Sequence, residues 1–126
     1  MKFIERKIVF HGEHFAKFYS EQQPSVQEKI EYVLRIVRLV ERVPKKFLDH
    51  IQGSEGLYEI RVEFESNIYR IFCCFDEGFL VILFNGFQKK TQKTPQIMLE
   101  KATRLKQEYF EMKERQLHEK RRNQKR

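Results

Sequence analysis

The stretch LYEIRVEFESNIYRIFCCFDEGFLVILFNGF, residues 57–87, decides the fold. Its first part, LYEIRVEF (57–64), places Tyr58, Ile60, Val62 and Phe64 on one side and Glu59, Arg61 and Glu63 on the other. Successive side chains of an extended chain point to opposite faces, so this alternation describes a strand with one apolar face. NIYRIFCCF (67–75) and FLVILFNGF (79–87) follow, joined by the turn-like ESN (65–67) and DEG (76–78). Connections that short favour antiparallel neighbours, and a three-stranded meander is expected.

Upstream, residues 2–10 set Ile4, Arg6, Ile8 and Phe10 against Phe3, Glu5, Lys7 and Val9, which suits an amphipathic first strand. A short helix is expected next, with Phe15, Phe18 and Tyr19 on one side. Pro24 opens a longer helix, as proline does at a first helical position. Val26, Ile30, Val33, Leu34, Val37 and Val40 recur in it at helical spacing, and Pro44 stops it. A linker containing Gly53 and Gly56 leads to the meander. Downstream, Thr94-Pro95 marks a helix start, and Met98, Ala102, Leu105, Tyr109 and Met112 supply its apolar stripe. The order β-α-α-β-β-β-α implies an α+β domain with a mostly antiparallel four-stranded sheet. Two N-terminal helices and a long C-terminal helix are expected to pack on it, leaving its other face partly open.

With 126 residues, the chain suffices for one core and not for two. Its net charge of +7 is unevenly spread, since residues 113–126 hold seven Lys/Arg against Glu114 and Glu119. The rest, with 18 basic and 16 acidic side chains, is nearly balanced, so an anion site in the folded body must come from local clustering. A domain over 1–112 and a basic tail over 113–126 are expected, the tail serving either as a solvated end or as a nonspecific contact to nucleic acid or acidic partners. Cys73 and Cys74 are adjacent and read as small core fillers of a protein in the reducing cytosol. The charged N-terminal segment does not read as a signal peptide, and the longest apolar run, FLVILF (79–84), has six residues where a bilayer needs about 20. The expected location is the cytoplasm, away from membranes. His11, His14, His50 and His118 lack the companions of a metal set, and no phosphate loop, dinucleotide fingerprint or nucleophile elbow is present. No metal and no cofactor is expected.

Candidate chemistry gathers around cations. Arg70 interrupts an otherwise apolar strand in the middle of the meander, where an unpaired charge is costly. Either it pairs across the ladder with Glu59 or Glu63, or it shares the open face with Arg61 near the basic segment GFQKKTQKTPQ (86–96). The second arrangement would collect Arg61, Arg70, Lys89 and Lys90 around one shallow groove, close to the N–H groups of the last helix, and would suit a phosphate backbone. Lys93 extends the same basic connector, and Phe87 beside it offers a ring for stacking on a base unless the core claims it.

The run GLYEIRVEFESNIYRIFCCFDEGFLVILFNGFQKKTQKTP (56–95) resembles the phage-derived branch of HigB-like toxins within the RelE/ParE superfamily. The likeness lies in a Gly-Leu-Tyr-Glu-Ile-Arg strand, a Tyr-Arg strand, a hydrophobic strand and Gly-Phe-x-Lys-Lys-Thr-x-Lys-Thr-Pro, in that order. The resemblance implies a RelE-like fold and the toxin of a type II toxin–antitoxin pair, an endoribonuclease that cuts mRNA on the ribosome. It also implies a neighbouring antitoxin with a helix-turn-helix as partner. By position, Arg61, Arg70, Lys89 and Lys90 match the family's active-face cations, whereas Asn85 stands where many relatives carry histidine. Metal-free cleavage needs a base for the 2′-OH, cations for the crowded phosphorane and an acid for the departing 5′-oxygen. Arginine stays charged and suits the middle role, while a lysine crowded by cations, Lys89 or Lys90, loses its proton more easily and suits the base. A non-catalytic protein of the same fold (gyrase-poison-like) or a basic RNA-binding module is the alternative.

Overall fold

Apolar residues on both faces of two neighbouring strands set the layering. In the computed structural model, which describes residues 2–91 and 93–124, the elements run β1 (Lys7–Phe10), α1 (His14–Ser20), α2 (Pro24–Leu39), β2 (Leu48–His50), β3 (Tyr58–Phe64), β4 (Asn67–Asp76), β5 (Leu80–Lys89) and α3 (Gln96–Gln124). They form one sheet in the order β1-β5-β4-β3-β2, with β1 parallel to β5 and every other pair antiparallel. The α+β meander is present, and the sheet has five strands rather than four. The addition is β2, three residues at the edge beside β3, within what read as a glycine linker.

On one face α1 and α2 bury Phe15, Phe18, Val26, Ile30, Val33 and Val37 against Ile60, Val62, Ile71, Cys73, Val81 and Leu83. Arg6 closes the end of α2: its Nη1 donates to the carbonyls of Val37 (2.8 Å) and Val40 (2.7 Å), its Nη2 to that of Glu41 (2.7 Å). A helix leaves its last carbonyls unpaired; here the guanidinium takes that of Val37, and the backbone N–H groups of Arg6 and Ile4 take those of Arg38 and Leu39.

The opposite face is covered in part. There α3 packs Ala102, Leu105 and Tyr109 over Leu57, Phe72, Cys74, Ile82 and Phe84. The strands require this, because IFCC (71–74) and VILF (81–84) are apolar without alternation and so carry oily side chains on both faces. Midway along its length α3 is clamped by Asp76, whose carboxylate accepts from the Tyr109 hydroxyl at 2.7 Å and from Lys113 Nζ at 2.8 Å. The helix passes the expected boundary at 112/113 without interruption, since no proline or glycine lies between 96 and 124. From Glu114 to Gln124 it is solvent-exposed.

A bulge shapes the centre of the sheet. β4 takes two steps from Ile71 to Cys73 while β5 takes three from Gly86 to Leu83. The extra residue lets Phe84 and Asn85 both turn toward α3, Phe84 into the core and Asn85 Nδ2 onto the Met98 carbonyl at 3.2 Å. Gly86 then faces α1, where a Cβ would stand 2.6 Å from the Phe18 ring.

Candidate functional site

The site is built on three consecutive strands, on the face that α3 covers only in part. Register pairs Arg61 with Arg70, and Arg70 with Phe87, so these three share one row across β3, β4 and β5. One row nearer the β3–β4 hairpin stand Glu63, Ile68 and Lys89, and on the other side of the arginine row stand Glu59 and Phe72. Directly opposed side chains in a sheet lie about 5 Å apart at Cβ and diagonal ones about 7–8 Å, which brings Lys89 within reach of the Arg70 neighbourhood.

The two arginines converge, but around carboxylates. Arg61 Nε donates to Glu59 Oε1 at 2.9 Å and its Nη2 lies 3.0 Å from Asp49 Oδ2. Arg70 Nε lies 3.6 Å from Glu59 Oε2, an ion pair too long for a hydrogen bond. Arg70 and Glu59 each keep 8% of their side-chain surface exposed, against 30% for Arg61. The expected patch of free cations is therefore corrected: like charges opposed across a ladder repel, and the fold answers with Glu59 between them and Asp49 at the rim. Burial holds the Arg70 guanidinium below its ordinary range; Glu59 pulls it back and Arg61 adds to the lowering. Arg70 Nε and Nη1 and Glu59 Oε2 are buried without a hydrogen-bond partner.

The remaining predicted residues divide. Phe87 is buried at 6%, its ring tilted against Phe72 at 5.6 Å, so it belongs to the α3-side core and offers no face for a base. Lys89 closes β5 on the arginine side. Lys90 and Lys93 are exposed on the connector beyond the strand, outside the row pattern that unites the others. That connector leaves the sheet at Lys89 and reaches Thr94, which lines a cleft of about 530 Å³ with Lys45, Asp49, His50, Glu59 and Arg61. The basic segment thus passes from the β5 side toward β2 and β3. Asn85, at the position where the family resemblance would place a histidine, is 4% exposed and ties the bulge to α3, away from this cleft.

Asp49 and the cleft itself were not singled out by sequence reasoning, whereas Glu59 was expected as one of two partners for Arg70 and is the one that pairs with it. The signal for Glu59 was its place two residues before Arg61 on the same face; nothing local marks Asp49. A larger cleft, about 840 Å³ between the 51–57 loop and α3, holds none of the predicted site residues. His11, buried, donates from Nε2 to Glu108 Oε1 at 2.9 Å and sits edge-on to Phe84 and Tyr109, a packing role. Burial raises the Cys73 and Cys74 thiols, Cys74 to about 12, so neither is a nucleophile at neutral pH. Among the described residues no group of three His, Cys, Asp or Glu is placed to hold a metal, and no helix is long and apolar enough to cross a membrane.

Among known folds, the chain is similar to one in the crystal structure of the archaeal RelE–RelB complex from Pyrococcus horikoshii OT3. The TM-score is 0.50 at 15% identity, covering 66% of this chain and 93% of that one. This likeness is one of fold, a RelE-like arrangement of helices and sheet. No curated protein sequence gives a significant match. The sequence pattern of the family described as "Phage derived protein Gp49-like (DUF891)" matches residues 17–107, from α1 through the first turns of α3. That span includes both arginines, both carboxylates and the lysine connector, and the chain belongs to this phage-derived Gp49-like family.

Proposed function

We propose that this protein is the toxin of a type II toxin–antitoxin pair, a HigB-like endoribonuclease that cuts mRNA on the ribosome without a metal. The reading is carried by one observation: Arg61 and Arg70 stand in register on one face, with Lys89 on the adjacent diagonal. Membership of the Gp49-like family and the RelE-like fold support it. In this reading the guanidiniums grip the scissile phosphate and stabilise the phosphorane. Lys89 or Lys90 serves proton transfer, and Lys90 and Lys93 attract the RNA backbone. A site this poor in acid–base groups gains from ribosome-imposed alignment of the RNA, which contributes several kcal/mol in well-oriented reactions. A cognate antitoxin, expected to carry a helix-turn-helix, neutralises it in the cytoplasm.

The test is induction of the protein alone in bacteria. Translation should stop within minutes, with transcripts cut inside their coding regions, and Arg61→Ala should relieve both effects while the domain stays folded. One observation favours the second reading, a non-catalytic protein of this fold: Arg70 is 8% exposed and paired to Glu59. DNA damage signalling without RNA cleavage would point to gyrase poisoning. RNA retention with neither effect would point to a basic binding module.

A further inference from the structure

Three buried polar atoms meet at the arginine row without partners: Arg70 Nε, Arg70 Nη1 and Glu59 Oε2. Buried donors and acceptors are nearly always satisfied, so three orphans at one place call for a missing partner. A guanidinium and a carboxylate that leave bonding capacity unused against each other, 3.6 Å apart, form an incomplete site rather than a closed salt bridge.

We propose that Glu59 is the general base of this site, held in reserve by Arg61 until a phosphate arrives. The assignment rests on the ribonuclease reading and replaces the lysine pair as base. Glu59 lines the cleft together with Arg61, Asp49 and Thr94, so the cleft is the route by which an RNA strand approaches it. Arg61 is the outer and more exposed guanidinium, and in the free protein its Nε and Nη2 are taken by Glu59 and Asp49. These two carboxylates occupy the arginine as a phosphate diester would. When the scissile phosphate takes Arg61, Glu59 Oε1 is released beside the incoming ribose, and Arg70 supplies its unpartnered N–H groups to the phosphate.

The chemistry balances with residues already on this face. The 2′-OH gives its proton to the Glu59 carboxylate, and the 2′-oxygen forms a bond to phosphorus. The P–O5′ bond breaks, and the 5′-oxygen takes a proton from the Lys89 ammonium, leaving a 2′,3′-cyclic phosphate and a 5′-hydroxyl. Glu59 and Lys89 lie one row either side of the arginine row, each two residues, or about 7 Å, along its strand from it. In-line displacement requires base and acid on opposite sides of the phosphorus, and Glu59 and Lys89 stand on opposite sides of the arginine row.

The test uses the full chain and a model mRNA on programmed ribosomes under single-turnover conditions. Binding of the same RNA with a 2′-deoxy sugar at the scissile position is measured in parallel. Glu59→Gln keeps the side-chain shape and an oxygen for Arg61. Its cleavage rate should fall about 10²–10⁴-fold, the range of general-base catalysis, while binding of the deoxy RNA stays within a few-fold. Should that variant fail to fold, Glu59→Asp, which keeps the charge and shortens the reach, should cleave at least tenfold more slowly with binding intact. A variant as fast as wild type, or one losing rate and binding equally, overturns the assignment and leaves Glu59 a structural counter-ion. Wild type that cuts nothing brings down the nuclease reading and the role of Glu59 with it.

Discussion

Arg61 and Arg70 stand directly opposite each other on β3 and β4, and both lean on one carboxylate, Glu59. Two guanidiniums at this spacing are tolerated only because Glu59 lies between them and Asp49 holds the outer one at 3.0 Å. Charge balance and the proposed grip on phosphate therefore draw on the same four side chains.

The first consequence is energetic coupling. Arg70→Ala removes one partner of a buried pair and should destabilise the fold by about 3 kcal/mol. Glu59→Ala should cost a similar amount, and the double variant less than the sum, with a coupling of about 1–3 kcal/mol in urea denaturation. Simple additivity would mean that the 3.6 Å ion pair contributes nothing.

Gly86 allows Phe18 to lie flat on β5. Gly86→Ala sets a methyl 2.6 Å from that ring and should lower stability by about 1–3 kcal/mol, as overpacking does. The added Phe18→Leu substitution should recover part of the loss. A melting temperature unchanged by Gly86→Ala would contradict the close approach.

The β3–β4 hairpin turns on Glu65 (φ 47°) and Ser66 (φ 69°), both left-handed and neither glycine. A two-residue turn of this kind favours glycine at its second position. Ser66→Gly should therefore raise stability by about 1 kcal/mol, seen as a higher urea midpoint at unchanged slope.

Asp76 makes the docking of α3 pH-dependent. Burial alone would raise its carboxyl, but hydrogen bonds from Lys113 and Tyr109 outweigh this and hold it below the 3.8 of a free aspartate. A group lowered on folding adds stability that is complete above its unfolded value and fades as pH falls through the folded one. Thermal melts from neutral pH downward should therefore lose stability below about pH 4 more steeply in wild type than in Asp76→Asn. Parallel curves would remove Asp76 as the cause.

The exposed end of α3 gives a separate prediction. Deleting 114–126 keeps Lys113 on Asp76 and removes Arg115, Lys120, Arg121, Arg122, Lys125 and Arg126. Nonspecific RNA binding should weaken and its salt dependence flatten, by about 0.7 in log–log slope for each phosphate that the deleted cations had neutralised. Cleavage on the ribosome should persist, and an inactive truncation would place the segment in the catalytic function instead.

The strands 58–64, 67–76 and 80–89, their short turns and the helix from Pro24 were legible because each follows from local periodicity or turn chemistry. The doubled apolar faces of IFCC and VILF carry the signal for a second covering layer, but the alternation in LYEIRVEF was followed instead and suggested a partly open face. β2 was illegible because three residues hold no period, and an edge strand takes its shape from its neighbour.

At the site, sequence by itself determined that Arg61 and Arg70 share a face, since parity across the short β3–β4 hairpin fixes it, but the bulge in β5, which no local pattern announces, decides that Lys89 joins them. Nor did sequence determine what neutralises them. Asp49 lies twelve positions from Arg61 and meets it only because β2 folds against β3. Phe87 follows the same logic: the bulge turns it to the cation face, and the arrival of α3 makes that part of the face core. Local pattern orients a side chain, but its partner is chosen by segments that the chain brings in from elsewhere, through burial and charge pairing that no short window of residues contains.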